Sequence, residues 1–167
     1  EWLEAQGFED VSDTQRQTLR AAYDAEHKSE ADREKQRLLP LDRPFLAALG
    51  VTDAAQRLVP AMARKWKQIN KFIEVFAAAL KNSSLDKSDT VRVADFGSGK
   101  GYLTFAMYDW LRMQGKTAHV TGIELRTDMV ALCNGSALRH GLHGLVFEQG
   151  DLRSYTPEKL DVMVALH

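Results

Sequence analysis

Apolar residues in this chain recur with two different periods, and the change between them divides it into a helical first part and a mixed second part. Trp66, Ile69, Ile73, Phe76 and Leu80 follow one another at intervals of three and four, the spacing of a single helix face, and Pro60 is suited to the first turn of that helix. The stripe is expected to bury against a sheet. Short apolar runs follow at 91–96, 119–124, 145–149 and 160–166 and read as strands. The segments after the first two carry helical spacing, as in Leu103, Phe105, Ala106, Met107, Trp110 and Leu111. Strands alternating with helices predict a parallel α/β sheet.

Ahead of the stripe, Ser12 or Asp13 can cap a helix running to about Arg37, whose apolar face is thin, at Leu19, Ala22 and Tyr23. Pro40 and Pro44 break the chain, and Phe45–Gly50 predicts a short helical turn ended by glycine. The stretch Asn82–Thr90 has the composition of a linker, and the sheet is taken to begin beyond it. The expected division is a helical segment over 1–59 and a Rossmann-like unit over 60–167.

The chemistry concentrates where strands end. Asp95-Phe96-Gly97-Ser98-Gly99-Lys100-Gly101 joins the first strand to the helix starting near Tyr102. Glycines in such a turn accept positive φ and let a ligand touch the backbone. A dinucleotide fingerprint G-x-G-x-x-G would need glycine at 102, where Tyr102 stands. Glu124 ends the second strand, where a carboxylate can accept both ribose hydroxyls of an adenosine, and Asp151 follows the third, placed to accept from the adenine amine. Each acid alone reads equally well as a solvated loop residue or a helix cap. Together they point to an adenosine-type cofactor lined also by Phe96, Ser98, Leu125 and Leu152.

Composition narrows the class. At 167 residues, 44% hydrophobic and 27% charged, the chain has the size of one globular domain, with no apolar run of membrane-spanning length and no signal-peptide pattern, so a cytoplasmic address is expected. The single Cys133 falls on an apolar helix face and reads as a buried structural thiol. His27, His119, His140 and His143 lack partners at metal-ligand spacing, so no metal is expected. The net charge of −1 conceals a segregation: residues 1–27 hold seven acids against two arginines, while residues 28–71 hold ten Lys or Arg against five acids. Arg64, Lys65, Lys67 and Lys71 lie on the striped helix, either as its solvated face or as contacts to RNA phosphates.

The loop D-x-G-x-G-x-G resembles the first motif of class I S-adenosylmethionine (SAM) dependent methyltransferases. Gly97-Ser98-Gly99-Lys100-Gly101-Tyr102-Leu103-Thr104 is similar to the first motif of one methyltransferase-like family, Gly-Ser/Cys-Gly-Lys-Gly-Tyr/His-Leu-Ser/Thr. Upstream, Arg33–Pro40, Pro44-Phe45-Leu46, Leu49-Gly50-Val51 and Lys67–Glu74 extend the resemblance, which covers roughly residue 30 to the end. Distant relatives of that family methylate RNA, including a ribose of tRNA. The resemblance therefore implies SAM as cofactor, with Asp95 holding the methionine ammonium directly or through water, Gly97, Gly99 and Gly101 admitting the methionine and ribose, and Lys100 and Tyr102 at its edge. RNA is the first acceptor expected; protein, a small molecule, or a non-catalytic SAM- or RNA-binding module are the alternatives. Family members continue past the fourth strand with Ala-Cys-Asp and later Pro-Cys-Cys-His. The chain stops at His167, so the sheet is expected to lack its second half, no catalytic residue is assigned, and activity of this fragment alone is not expected. His167 is an edge candidate for the cofactor. The outer edge of the fourth strand is expected to invite self-association.

Overall fold

The computed structural model describes residues 38–166, together with Gln17 and Ala21, and the chain divides into two compact units, Glu1–Arg37 and Leu38–His167. Gln17 and Ala21 are helical. The rest of the helix expected over 12–37 lies outside the described residues.

The second unit begins at Leu38, so it takes in residues 38–59 together with the sheet and its helices. The reason is packing: Leu39, Phe45, Leu46 and Val51 are fully or almost fully buried in the same apolar cluster as the sheet and its helices. Helix α1 (Pro44–Ala48) opens on Pro44, whose missing amide costs nothing at a first turn. Gly50 leaves it with φ of +70°, a left-handed conformation that glycine adopts without a Cβ clash. Arg43 fixes this segment to the unit through two hydrogen bonds, 2.7 and 2.8 Å, to the two carboxylate oxygens of Asp109. The paired carboxylate raises the pKa of Arg43 still further.

A 3-10 turn (Pro60–Met62) leads into α2 (Ala63–Lys81), whose buried residues are Trp66, Ile69, Ile73, Phe76 and Leu80, the stripe read from the sequence. The linker-like stretch after it is ordered instead: Ser84–Lys87 form a 3-10 turn. Ser83 Oγ accepts the amide of Leu85, and Lys116 Nζ donates to the carbonyls of Leu85, Asp86 and Ser88 at 2.7 to 3.1 Å, satisfying oxygens that a short helix leaves exposed.

The sheet has four parallel strands in the order β3-β2-β1-β4, where β1 is Thr90–Phe96, β2 Thr117–Glu124, β3 Leu145–Gln149 and β4 Val162–Ala165. Helices α3 (Tyr102–Met113) and α4 (Thr127–Arg139) make the crossovers. This is an α/β, Rossmann-like sheet, as the alternation of strands and helices predicts. One face carries the main core, in which Phe105, Met107 and Leu111 of α3 and Cys133 and Ala137 of α4 meet Val91, Val93, Val120, Leu145 and Phe147. Burial pushes the Cys133 thiol up to about 11, as befits a structural cysteine. The other face carries a smaller cluster, Ala94, Phe96 and Ile123 under Tyr155 and Leu160. At the margin of β3, Asn134 of α4 donates to the Phe147 carbonyl at 2.7 Å and accepts the Phe147 amide at 2.9 Å.

Register sets the site. Phe96 lies opposite Ile123 on one side and Ala165 on the other, and Glu124 opposite Gln149, so the carboxyl ends of all four strands finish along one line. In open α/β sheets ligands bind in the crevice at those ends, where the strand order reverses. Here that point lies between β1 and β4.

Candidate functional site

The turn from β1 to α3 is built on three left-handed glycines: Gly97, Gly99 and Gly101 have φ of +72°, +55° and +80°. A Cβ at Gly101 would come within 3.1 Å of the rings of Phe105 and Phe147, whereas one at Gly97 would meet nothing within 4 Å. Gly101 therefore serves the core and Gly97 borders open space. The amides of Gly97 and Ser98 donate to the Ile123 carbonyl, that of Gly101 to the Ser98 carbonyl, and that of Gly99 to Oε2 of Glu124 at 2.8 Å. The loop is thus closed on β2 from within.

Two clefts meet at Gly97. The first, of about 350 Å³, is lined by Phe96, Gly97, Ile123, Glu124, Leu125, Asp151 and Leu152, with Gly150, Arg153 and Ala165. Leu125 and Leu152 are 65% and 58% exposed, a large apolar surface to leave in water beside two acids. The second, of about 280 Å³, is lined by Lys65, Gln68, Asp95, Gly97, Ser98, Lys100, Tyr102, Leu103 and Leu166. The geometry brings these residues to one crevice and leaves Gly99 and Gly101 behind it as structural members of the turn. His167 lies outside the described residues.

Each acid is held differently. Asp95 is 5% exposed, and Thr104 Oγ1 donates to its Oδ2 at 2.7 Å. Burial pushes its carboxyl up to about 6, against the opposing effect of the Thr104 hydrogen bond. Glu124 accepts the Gly99 amide on Oε2 and the Arg126 amide on Oε1 at 3.0 Å, which orients the carboxylate and leaves further lone pairs on both oxygens. Asp151 uses Oδ1 to accept the amides of Arg153 and Ser154, each at 2.9 Å. Those bonds, the Ser154 contacts first, hold its carboxyl below the usual range. Among the described residues, Ser98 Oγ in the loop is buried without a hydrogen-bond partner.

Three contributors were not legible as site residues in the sequence. Thr104, last residue of the quoted motif, returns over Asp95 because the first turn of α3 lies above the end of β1. Lys65 and Gln68 come from α2, some 30 residues before the loop, and only folding puts them on its cleft. Lys65 Nζ donates to Gln68 Oε1 at 2.9 Å and stands 5.0 Å from the centroid of the Tyr102 ring.

Among the described residues no helix is long and apolar enough to cross a membrane. A family model for a methyltransferase domain matches residues 64–167. No curated protein shows significant similarity to the chain. Among solved structures, a protein from Listeria monocytogenes, proposed to be a class I SAM-dependent methyltransferase, aligns at 18% identity over 57% of this chain and 30% of its own, with a TM-score of 0.47. YjhP from E. coli aligns at 26% identity over 56% of this chain and 36% of its own, with a TM-score of 0.41. Coclaurine N-methyltransferase bound to N-methylheliamine and S-adenosylhomocysteine (SAH) aligns at 16% identity over 57% of this chain and 27% of its own, with a TM-score of 0.43. The chain spans about a third of the length of the solved structures it matches.

Proposed function

The chain belongs to the methyltransferase-domain family, and on that premise we propose that it holds SAM across the two clefts and presents its methyl group to an acceptor, RNA first. The observation that carries this is the meeting of the clefts at Gly97, with Asp95 on one side and Glu124 and Asp151 on the other.

The donor set fits SAM residue by residue. Asp95, almost fully buried beside the smaller cleft, would take the methionine ammonium, whose charge compensates the cost of ionising a buried carboxylate. Glu124 would accept the ribose hydroxyls with the lone pairs its backbone contacts leave over. Asp151 would accept the adenine amine on the oxygen outside its turn, with Leu125 and Leu152 covering the ring. A dinucleotide fits poorly. Its diphosphate is bound by free loop amides, but those of Gly97, Ser98, Gly99 and Gly101 are already committed, and the one at Gly99 is committed to a carboxylate that would repel phosphate.

Bound SAM would supply an electrophilic methyl on its sulfonium. The chain's own residues would position the cofactor, with Gly97 leaving room at the junction of the clefts and Glu124 holding the loop through the Gly99 amide. Exposed Arg64 and Lys67, next to the cleft that Lys65 and Gln68 line, support RNA as the acceptor through phosphate contact.

Calorimetry with SAH and with NADH tests the cofactor: SAH is expected to bind and NADH not, and NADH binding without SAH binding would reverse the assignment. Labelled methyl from SAM, offered with total RNA and with protein extract to a protein that carries the complete methyltransferase domain, tests the acceptor. Label in RNA is expected; label in protein alone, or binding without transfer, would assign a protein methyltransferase or a non-catalytic SAM-binding module.

A further inference from the structure

We propose that Lys65 is the anchor for the carboxylate at the amino-acid end of the cofactor, so that α2 supplies half of the methionine subsite. The assignment rests on SAM as the ligand and goes beyond it in naming a residue outside the strand ends.

Four observations meet here. The smaller cleft is lined by Lys65 from α2 and by the buried Asp95 from β1. An α-amino acid carries an ammonium and a carboxylate on one carbon, and a cleft lined by an acid and a base from separate elements is complementary in charge to that pair. Second, Lys65 is held in place rather than free in solvent: it is half-buried, stands over the Tyr102 ring and donates to Gln68 Oε1. Those two contacts leave donor capacity on an ammonium that has three N–H groups. Third, among the described residues no carboxylate forms an ion pair with it, while Lys71 on the same helix pairs with Glu74 at 3.2 Å. Fourth, the first turn of α2 contains no acid and carries Arg64 and Lys65 instead. Cations there oppose the helix dipole, an arrangement that is unfavourable until an anion sits beside it. Lys100 also lines the cleft but is exposed on the loop and has none of these constraints.

Lys65 is thereby removed from the exposed basic face that Arg64 and Lys67 form. Its charge faces a small zwitterion, whereas theirs face solvent.

The experiment compares SAH with 5′-methylthioadenosine, which has the same nucleoside and thioether without the amino-acid group, by calorimetry on the full chain. Lys65→Met keeps an apolar stem against Tyr102 and removes the charge. SAH affinity is expected to fall roughly 10- to 100-fold, the loss of a hydrogen bond to a charged group, with methylthioadenosine affinity unchanged and Lys65→Arg keeping most of the SAH affinity. Unchanged methylthioadenosine binding also reports that the variant is folded. If the wild type binds both ligands and Lys65→Met weakens neither, or weakens both equally, the anchor is overturned while SAM binding stands. If the wild type binds neither, the cofactor assignment falls and the anchor with it.

Discussion

Thr104 Oγ1 hydrogen-bonds to Oδ2 of Asp95 across the junction of β1 and α3, and both side chains are buried. The bond steadies an acid that burial nonetheless pushes up to about 6. Because the folded value lies above the unfolded one near 3.9, the folded protein holds this proton the more tightly between the two. Its contribution to stability is therefore complete below about pH 4 and is lost as pH rises through 6, by at most roughly 3 kcal/mol. Asp95→Asn is expected to remove this slope in urea unfolding measured from pH 4 to 7.

The same proton should be visible in binding. An ammonium beside Asp95 favours its ionised form, so SAH affinity is expected to fall as pH drops below about 6, with proton release on binding. Methylthioadenosine, which lacks the ammonium, is expected to show no such fall in calorimetry over the same range.

Glu124 holds the amides of Gly99 and Arg126 on the two oxygens of one carboxylate. Glu124→Ala is expected to weaken SAH by roughly 1 to 3 kcal/mol, because the Gly99 and Arg126 amides lose their acceptor together with the ribose contact. Titration calorimetry of the variant measures this directly.

Gly122 lies opposite Asp95 in the sheet, and a Cβ there would stand 2.5 Å from the Phe147 ring and 2.9 Å from Ser98 Oγ. Gly122→Ala is expected to destabilise the fold by roughly 1 to 3 kcal/mol, as overpacking does in close-packed interiors, with a lower urea midpoint.

If RNA phosphates lie along the exposed face of α2, RNA affinity should fall steeply with salt. Combined charge removal at Arg64, Lys67 and Lys71 is expected to flatten that slope by about 0.7 to 0.9 per lost phosphate contact. An unchanged slope would assign these residues to a solvated face.

The elements were legible where one period dominated. The α2 stripe and β3 follow directly from spacing, because each buries one face against a continuous apolar layer. The Asn82–Thr90 stretch read as a linker because its order depends on Lys116, which lies 28 to 31 residues downstream of the carbonyls it satisfies. Strand-end acids could be picked out by position, since a parallel sheet brings successive carboxyl ends to one line. Lys65 could not, because its charge resembles that of Arg64 and Lys67 until the cleft is formed.

Asn134 matters beyond the hydrogen bonds it makes. Its side-chain amide offers Phe147 one donor and one acceptor, the same pair that a neighbouring peptide unit would offer. It acts as a one-residue imitation of a further strand. A foreign segment seeking to add itself at that margin would have to evict Asn134 before gaining its first ladder bonds. Recruitment of another strand is thereby penalised at the β3 margin.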